Sequence, residues 1–297
     1  MRLNAFAPAK INLFLHVGAA DAQSGLHPVS SLMVFADLGD RVGIEASDAP
    51  EFVLDGPMSE GLSDCDPADN LVIRARDLLL AHIRRPTPPF RLLLTKLLPT
   101  AAGLGGGSSD AGAALRMVRD GLGLAIGDDT LEALSARLGS DGPACFRARP
   151  VLATGRGEVL SAAPRLPVLH AVLVNSGVAC PTGPVYRAFD DHAGQAGADM
   201  PPMPDSFESA DEMAAWLAFQ RNDLEAPAIT VCPDIAEVLE TLRAEPQTQL
   251  ARLSGSGATC FALCSGDYEA QGLAERLGLM RPDWWVRRCR LGGPWAD

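Results

Sequence analysis

The chain has 297 residues, 47% of them hydrophobic and 21% charged, more apolar mass than one ordinary core needs, and it reads as two globular domains. A net charge of -12 excludes a broad nucleic-acid or anionic-membrane surface, so any phosphate has to be held locally. Seven scattered cysteines without a CxxC pair exclude a disulfide framework and a zinc site and fit a reducing, cytoplasmic setting.

In chain order, "MRLNAFAPAKINLFLHV" alternates around Ala7 to Lys10 and then turns apolar, which predicts two short strands or one bent strand. "INLFLHVGAA" loosely mimics a signal peptide, but Asn12 and His16 interrupt it, and no segment approaches the ~20 apolar residues that span a bilayer. "DRVGIEAS" and "FRLLLTKLLP" read as strands, the second ending at Pro99, and "NLVIRARDLLLAHI" as a helix capped by Asn70. "DDTLEALSARLG" predicts a helix capped by Asp129 and stopped by Gly139. Gly and Pro punctuate Gly155 to Pro167, and "LHAVLVN" then has the pattern of a buried strand.

Thr182 and Tyr186 fall in an expected loop, and Asp190 to Pro204 reads as mobile. Helices are expected at "DEMAAWLAFQRNDLE", "PDIAEVLETLRAE" and "YEAQGLAERLG". "ARLSGSGATCFALC" reads as two strand pieces hinged on Gly-Ser-Gly, and "WWVRRCRL" as a last strand.

The densest signal is "LPTAAGLGGGSSDAGAALRM", in which Gly103, Gly105, Gly106 and Gly107 run into Ser108, Ser109, Asp110 and a helical pattern. A Rossmann turn would need glycine where Ser108 stands, and a phosphate-binding loop of the Walker type would need a lysine after its last glycine. Neither fits. Successive backbone N–H groups in an irregular glycine run, joined by those of a helix N-terminus, form an anion site without net charge. Pro99, Thr100, Ala101, Ala102, Gly103, Leu104, Gly105, Gly106, Gly107, Ser108 and Ser109 are therefore the candidate nucleotide-phosphate residues.

"PTAAGLGGGSSDAGAAL" resembles the second motif of the GHMP kinase superfamily, in the triple-glycine form of the branch that acts on a cytidine-diphosphate-linked methylerythritol. "APAKINLFLHV", "GLHPVSSLMVFADLGD", "GSDGPACF", "RNDLE" and "SGSGATCFAL" resemble further segments of that branch in the same order, "RNDLE" as a helix signature. Leu26 departs from the branch's usual tyrosine, and Gly142 and Ala144 from its larger apolar residues, which touches the expected shape of the substrate pocket.

The resemblance implies an α+β, two-domain GHMP kinase fold. Residues 1–160 would form an N-terminal, ribosomal-S5-domain-2-like half with the ATP site, and 161–297 a ferredoxin-like half closing a cleft over the substrate. It also implies ATP-dependent phosphorylation of an alcohol, with Mg2+ arriving on the nucleotide and no assigned metal ligand, while the sequence leaves a homodimer open. Asp141 is the implied acceptor of the hydroxyl proton, and Lys10 its partner and a counter-charge. Asn12 and Lys10 share one face of an extended strand and so line one polar pocket, and the resemblance makes Asn12 an acceptor-binding candidate. By resemblance His27 reads the cytosine edge, while Tyr186 is placed to stack on the base and Thr182 to meet the diphosphate. Other acceptors of the superfamily (homoserine, mevalonate, a sugar) and a catalytically silent nucleotide sensor remain open alternatives, although a sensor needs neither Lys10 nor Asp141.

Overall fold

The structure is a computed structural model that describes residues 2–63, 66–191 and 197–295. Cys65 and residues 192–196 of the segment expected to be mobile lie outside the described residues. The first half contains β1 (Arg2–Val17), β2 (Val29–Ala46), β3 (Glu51–Asp55), α1 (Glu60–Ser63), α2 (Leu71–Ile83), β4 (Phe90–Thr95), α3 (Gly106–Gly121), α4 (Asp128–Ala136), α5 (Gly142–Arg147), β5 (Val151–Thr154) and β6 (Val159–Ala162). The second contains β7 (Leu169–Asn175), α6 (Thr182–Asp190), α7 (Ala210–Leu217), α8 (Glu225–Val231), α9 (Asp234–Ala244), β8 (Leu250–Leu253), β9 (Cys260–Cys264), α10 (Asp267–Met280) and β10 (Trp285–Gly292).

β2 is the spine of the molecule. Along one edge it pairs antiparallel with β1, and along the other it takes β5 at Ser31–Met33, β10 at Phe35 and Ala36, and β4 at Arg41–Ala46. The opening segment is one strand with register shifts between Pro8 and Lys10 and between Asn12 and Phe14, so the bent-strand alternative holds. Such irregularities re-aim side chains, and here they bracket the two polar residues of an otherwise apolar run. In the second half the antiparallel order β10-β7-β9-β8, with helices after β7 and between β9 and β10, is the ferredoxin-like βαββαβ pattern.

Three large cores hold these elements. Val42, Leu79, Leu92, Leu115 and Leu131 pack α2, α3 and α4 on the first half of the sheet, and Val172, Ile235, Leu239, Leu253 and Leu273 pack α9 and α10 on the second. A third joins the halves through Ile11, Leu32, Leu173, Leu217 and Phe261. Each such side chain contributes about 1.5–3 kcal/mol on burial, so the two halves share a substantial apolar interface.

Four local expectations change. β4 stops at Thr95 rather than Pro99, because Leu97 and Leu98 give their N–H groups to the Asp40 carboxylate instead of to a neighbouring strand. α4 is capped by Gly127, with Asp128 and Asp129 in its first turn, and it ends at Ala136, before Gly139. α7 ends at Leu217, and "RNDLE" leads into α8 with only its last residue, Glu225, helical: Asn222 bridges in parallel to Leu15, and the carbonyls of Leu217 and Gln220 go to the guanidinium of Arg252. Thr182 and Tyr186 stand on α6 rather than in a loop. Pro184 disguises that helix in the sequence, yet a proline in a first turn forfeits no intrahelical bond.

Candidate active site

Lys10 and Asn12 project from the irregular stretch of β1 into a cavity of about 560 Å3 lined by residues from both halves of the chain. The Lys10 ammonium donates to Asn12 Oδ1 at 2.7 Å and faces Asp141 Oδ2 at 3.1 Å. Asn12 in turn donates to Ser31 Oγ at 2.8 Å, and Ser31 donates to the Phe14 carbonyl at 2.6 Å. This chain fixes the amide orientation and leaves the ammonium a third donor for a ligand. Asp141 is 31% exposed, opening its carboxylate to the cavity, whereas Lys10 is 5% exposed.

The departures at Gly142 and Ala144 concern helix packing instead of pocket shape. Both are buried in α5, and a Cβ on Gly142 would stand 2.1 Å from the Ser135 carbonyl of α4. Nothing larger fits there, and neither residue lines the cavity.

Pro99 to Ser108 all line the cavity, and Ser109 lies behind them, donating to the Pro8 carbonyl at 2.7 Å. Gly105 caps α3 in the left-handed conformation (φ 60°) and no side chain caps that helix, so its first-turn N–H groups are available to an anion. Gly103 answers a different need: a Cβ there would stand 2.2 Å from the Ser254 carbonyl, where the Gly-Ser-Gly turn docks on the loop. Ser254 Oγ donates to the Gly103 carbonyl, and Thr259 N to the Ala102 carbonyl. Asn222 anchors the same turn from below, donating to the carbonyls of Leu253 and Gly255.

Beneath the loop lies a cluster that sequence reasoning missed. The Lys96 ammonium is held by Asp40 Oδ2 and, at 2.9 Å, by Asp110 Oδ2, with all three side chains at most 3% exposed. Asp40 Oδ1 also accepts the Leu97 and Leu98 N–H groups. Burial alone lowers the Lys96 pKa, but the two carboxylates outweigh it and the net shift is upward. Asp110 is pushed up to about 8, chiefly by burial, and its Oδ1 has no partner. The signal for this cluster was an ionisable residue closing the apolar alternation of "FRLLLTK".

On the opposite wall, Thr182 Oγ1 and Ser256 Oγ lie 2.9 Å apart, and Tyr186 presents a largely buried ring whose phenol pKa is raised to about 12 by burial. His27 does not line the cavity. It sits behind Tyr186 with ring centroids 4.9 Å apart, its Nδ1 donating to the Gly18 carbonyl at 2.9 Å and its Nε2 facing Asp190 at 3.4 Å, so neither ring nitrogen is presented to a ligand. Leu26 is 44% exposed and also stands off the cavity wall. Cys145 lies against Gly105, but burial pushes its thiol up to about 12, which excludes a thiolate nucleophile.

A ferredoxin-like half joined to a glycine-loop half, with a lysine and an aspartate facing each other across the loop, defines the class of the GHMP kinases. The model described as GHMP kinases N terminal domain matches residues 70–148, and that described as GHMP kinases C terminal matches residues 205–280. A protein of Caulobacter vibrioides named 4-diphosphocytidyl-2-C-methyl-D-erythritol kinase is 63% identical over 98% of this chain and 100% of its own length. One of the same name from Hyphomonas neptunium is 44% identical over 98% of this chain and 97% of its own. The chain belongs to this kinase family. A crystal structure of a 4-(cytidine 5'-diphospho)-2C-methyl-D-erythritol kinase, 32% identical, covers 98% of this chain and 100% of its own with a TM-score of 0.77. A homoserine kinase from Cytophaga hutchinsonii shares the fold at 17% identity and a TM-score of 0.69, over 98% of this chain and 95% of its own.

Proposed function

We propose that the protein transfers the γ-phosphoryl group of ATP to the 2-hydroxyl of 4-diphosphocytidyl-2-C-methyl-D-erythritol, a step of the methylerythritol phosphate route to isoprenoid precursors. The observation that carries the reading is the Lys10, Asn12 and Asp141 cluster facing the glycine loop within one cavity. Phosphoryl transfer is largely a matter of alignment and charge, and a rigid cluster opposite an anion cradle supplies both.

Asp141 accepts the proton of the attacking hydroxyl. The transition state is loose and the proton leaves late, so position matters more than basicity. Lys10 holds Asp141 and the acceptor oxygen in line, while Asn12 fixes the ammonium. The residues from Pro99 to Ser109 cradle the triphosphate with backbone N–H groups. Among the described residues no group of three or more His, Cys, Asp or Glu gathers to hold a metal ion, and Asp110 is committed to Lys96. Mg2+ arriving with ATP would supply charge neutralisation along the phosphates.

Tyr186 stacks on the cytosine, Thr182 meets the diphosphate, and His27 contributes to base recognition through the Tyr186 ring that it supports. No helix of the described residues is long and apolar enough to cross a membrane, in keeping with small polar substrates. The test is phosphorus NMR of the purified protein with ATP, Mg2+ and the cytidyl acceptor. A new monoester resonance on the 2-oxygen is expected, and hydrolysis to ADP and phosphate alone would contradict the reading.

A further inference from the structure

The cavity has to take two polyanions, yet two of the three cations on its wall are already matched. Lys10 faces Asp141, and Lys96 is held by Asp40 and Asp110. The third is Arg156, at the turn between β5 and β6. Its guanidinium is 53% exposed and pairs with Glu158, two residues along, at 3.2 Å. An exposed pair of this kind is weak and exchanges readily for a more highly charged partner.

The turn itself is well placed and well fixed. Gly155 accepts from the Val29 N–H at 2.7 Å, Gly157 N donates to the Thr154 carbonyl, and Arg156 N donates to Glu158 Oε2 at 2.6 Å. A Cβ built on Gly157, whose φ is +111°, would lie 3.8 Å from Asp141 Oδ1. The turn therefore faces the proposed base with room for about one methyl group between them, and Arg156, the adjoining residue, lines the same cavity. On the donor side, the glycine loop already supplies uncharged N–H donors. At the reacting end the Lys10 ammonium is already matched by Asp141, so the weakly held guanidinium is the wall cation best able to meet added charge.

We propose that Arg156 is a phosphate-binding residue of the transfer step, exchanging Glu158 for the phosphoryl group in flight. This rests on the kinase reading above. In that step the bond from Pγ to the β,γ-bridging oxygen breaks, with its electron pair leaving on ADP. The bond from the acceptor oxygen to Pγ forms, and the hydroxyl proton passes to Asp141. The equatorial oxygens carry the developing charge, and a planar guanidinium with several fixed donors matches them better than a third ammonium would.

The experiment is steady-state kinetics with both substrates varied, on wild type, Arg156→Gln, Arg156→Lys and Glu158→Gln. Arg156→Gln is expected to lose on the order of 10²-fold in kcat with KM for ATP within about twofold, and Arg156→Lys to recover part of the loss. Glu158→Gln should keep wild-type kcat. If it loses as much as Arg156→Gln, the effect belongs to the hairpin and the proposal falls. An Arg156→Gln protein with unchanged kcat, or with its loss confined to one KM, also overturns it. A wild-type protein that leaves the cytidyl acceptor unphosphorylated overturns the kinase reading, and the role of Arg156 with it.

Discussion

Two lysines reach the same cavity with carboxylates beside them, and only one of these clusters opens to solvent. Lys10 and Asp141 meet at 3.1 Å with Asp141 about one-third exposed, while Lys96, Asp40 and Asp110 are sealed beneath the glycine loop. The residue types are the same and the surroundings differ. The partial exposure of Asp141 leaves its carboxylate open to the cavity, where the proposed acceptor hydroxyl would meet it. The sealed cluster instead ties β2, the end of β4 and the start of α3 to one point, so its contribution is to hold the loop's shape. Charge pairs of equal chemistry are thus divided between reaction and support by burial.

That division can be broken at either end. Asp141→Asn should cut kcat by something on the order of 10² to 10⁴ while ATP affinity and the urea midpoint barely move, because the partly exposed pair adds little stability. Turnover within threefold of wild type would remove Asp141 from the chemistry. Lys96→Met should show the reverse emphasis. It removes the cation that the buried Asp40 carboxylate and the Asp110 carboxyl both hold, at a cost of about 3–5 kcal/mol, so the urea midpoint should fall steeply, whereas a midpoint within error of wild type would mean that the cluster holds nothing.

The smallest effect concerns Asp110. Its carboxyl is held near 8 in the fold against an ordinary 3.8, so the fold favours its protonated form. Stability from this group is complete below about pH 4 and is lost as the pH rises through about 8. Asp110→Asn cannot ionise, so its advantage in Tm over wild type should grow across that window and then level off. A constant offset from pH 4 to pH 8 would show that burial of charge is not what sets the local stability.

The solvent-facing cluster was legible in the sequence, and the sealed one was not. The glycine run is a short, dense segment whose chemistry shows in its residues, and the roles of Lys10, Asn12 and Asp141 follow from a resemblance carried by their neighbours. Lys96 and Asp40 lie 56 residues apart, and only the sheet brings them together. "RNDLE" misleads because its helical composition is overridden by backbone bonds of Arg221 and Asp223 to Leu15. His27 shows the opposite limit: its place in the chain was readable, but not the Gly18 carbonyl and Asp190 carboxylate that engage its ring. The ferredoxin-like half was implied by the resemblance, with α9 and α10 and the buried strand β7 showing in the residue pattern, whereas pairing of β10 with β2 across the two halves has no local signal.

The central claim, that Lys10 and Asp141 act on an acceptor held at its cytidyl end by the Thr182 and Tyr186 wall, is tested most directly by acceptor competition. Purified protein with ATP and Mg2+ is assayed on the cytidyl acceptor, homoserine and mevalonate, and kcat/KM is compared. The account predicts a preference for the cytidyl acceptor of roughly 10³-fold or more, as for a site that meets its ligand with built polar partners. Equal or better turnover of an acceptor without a cytosine would contradict it.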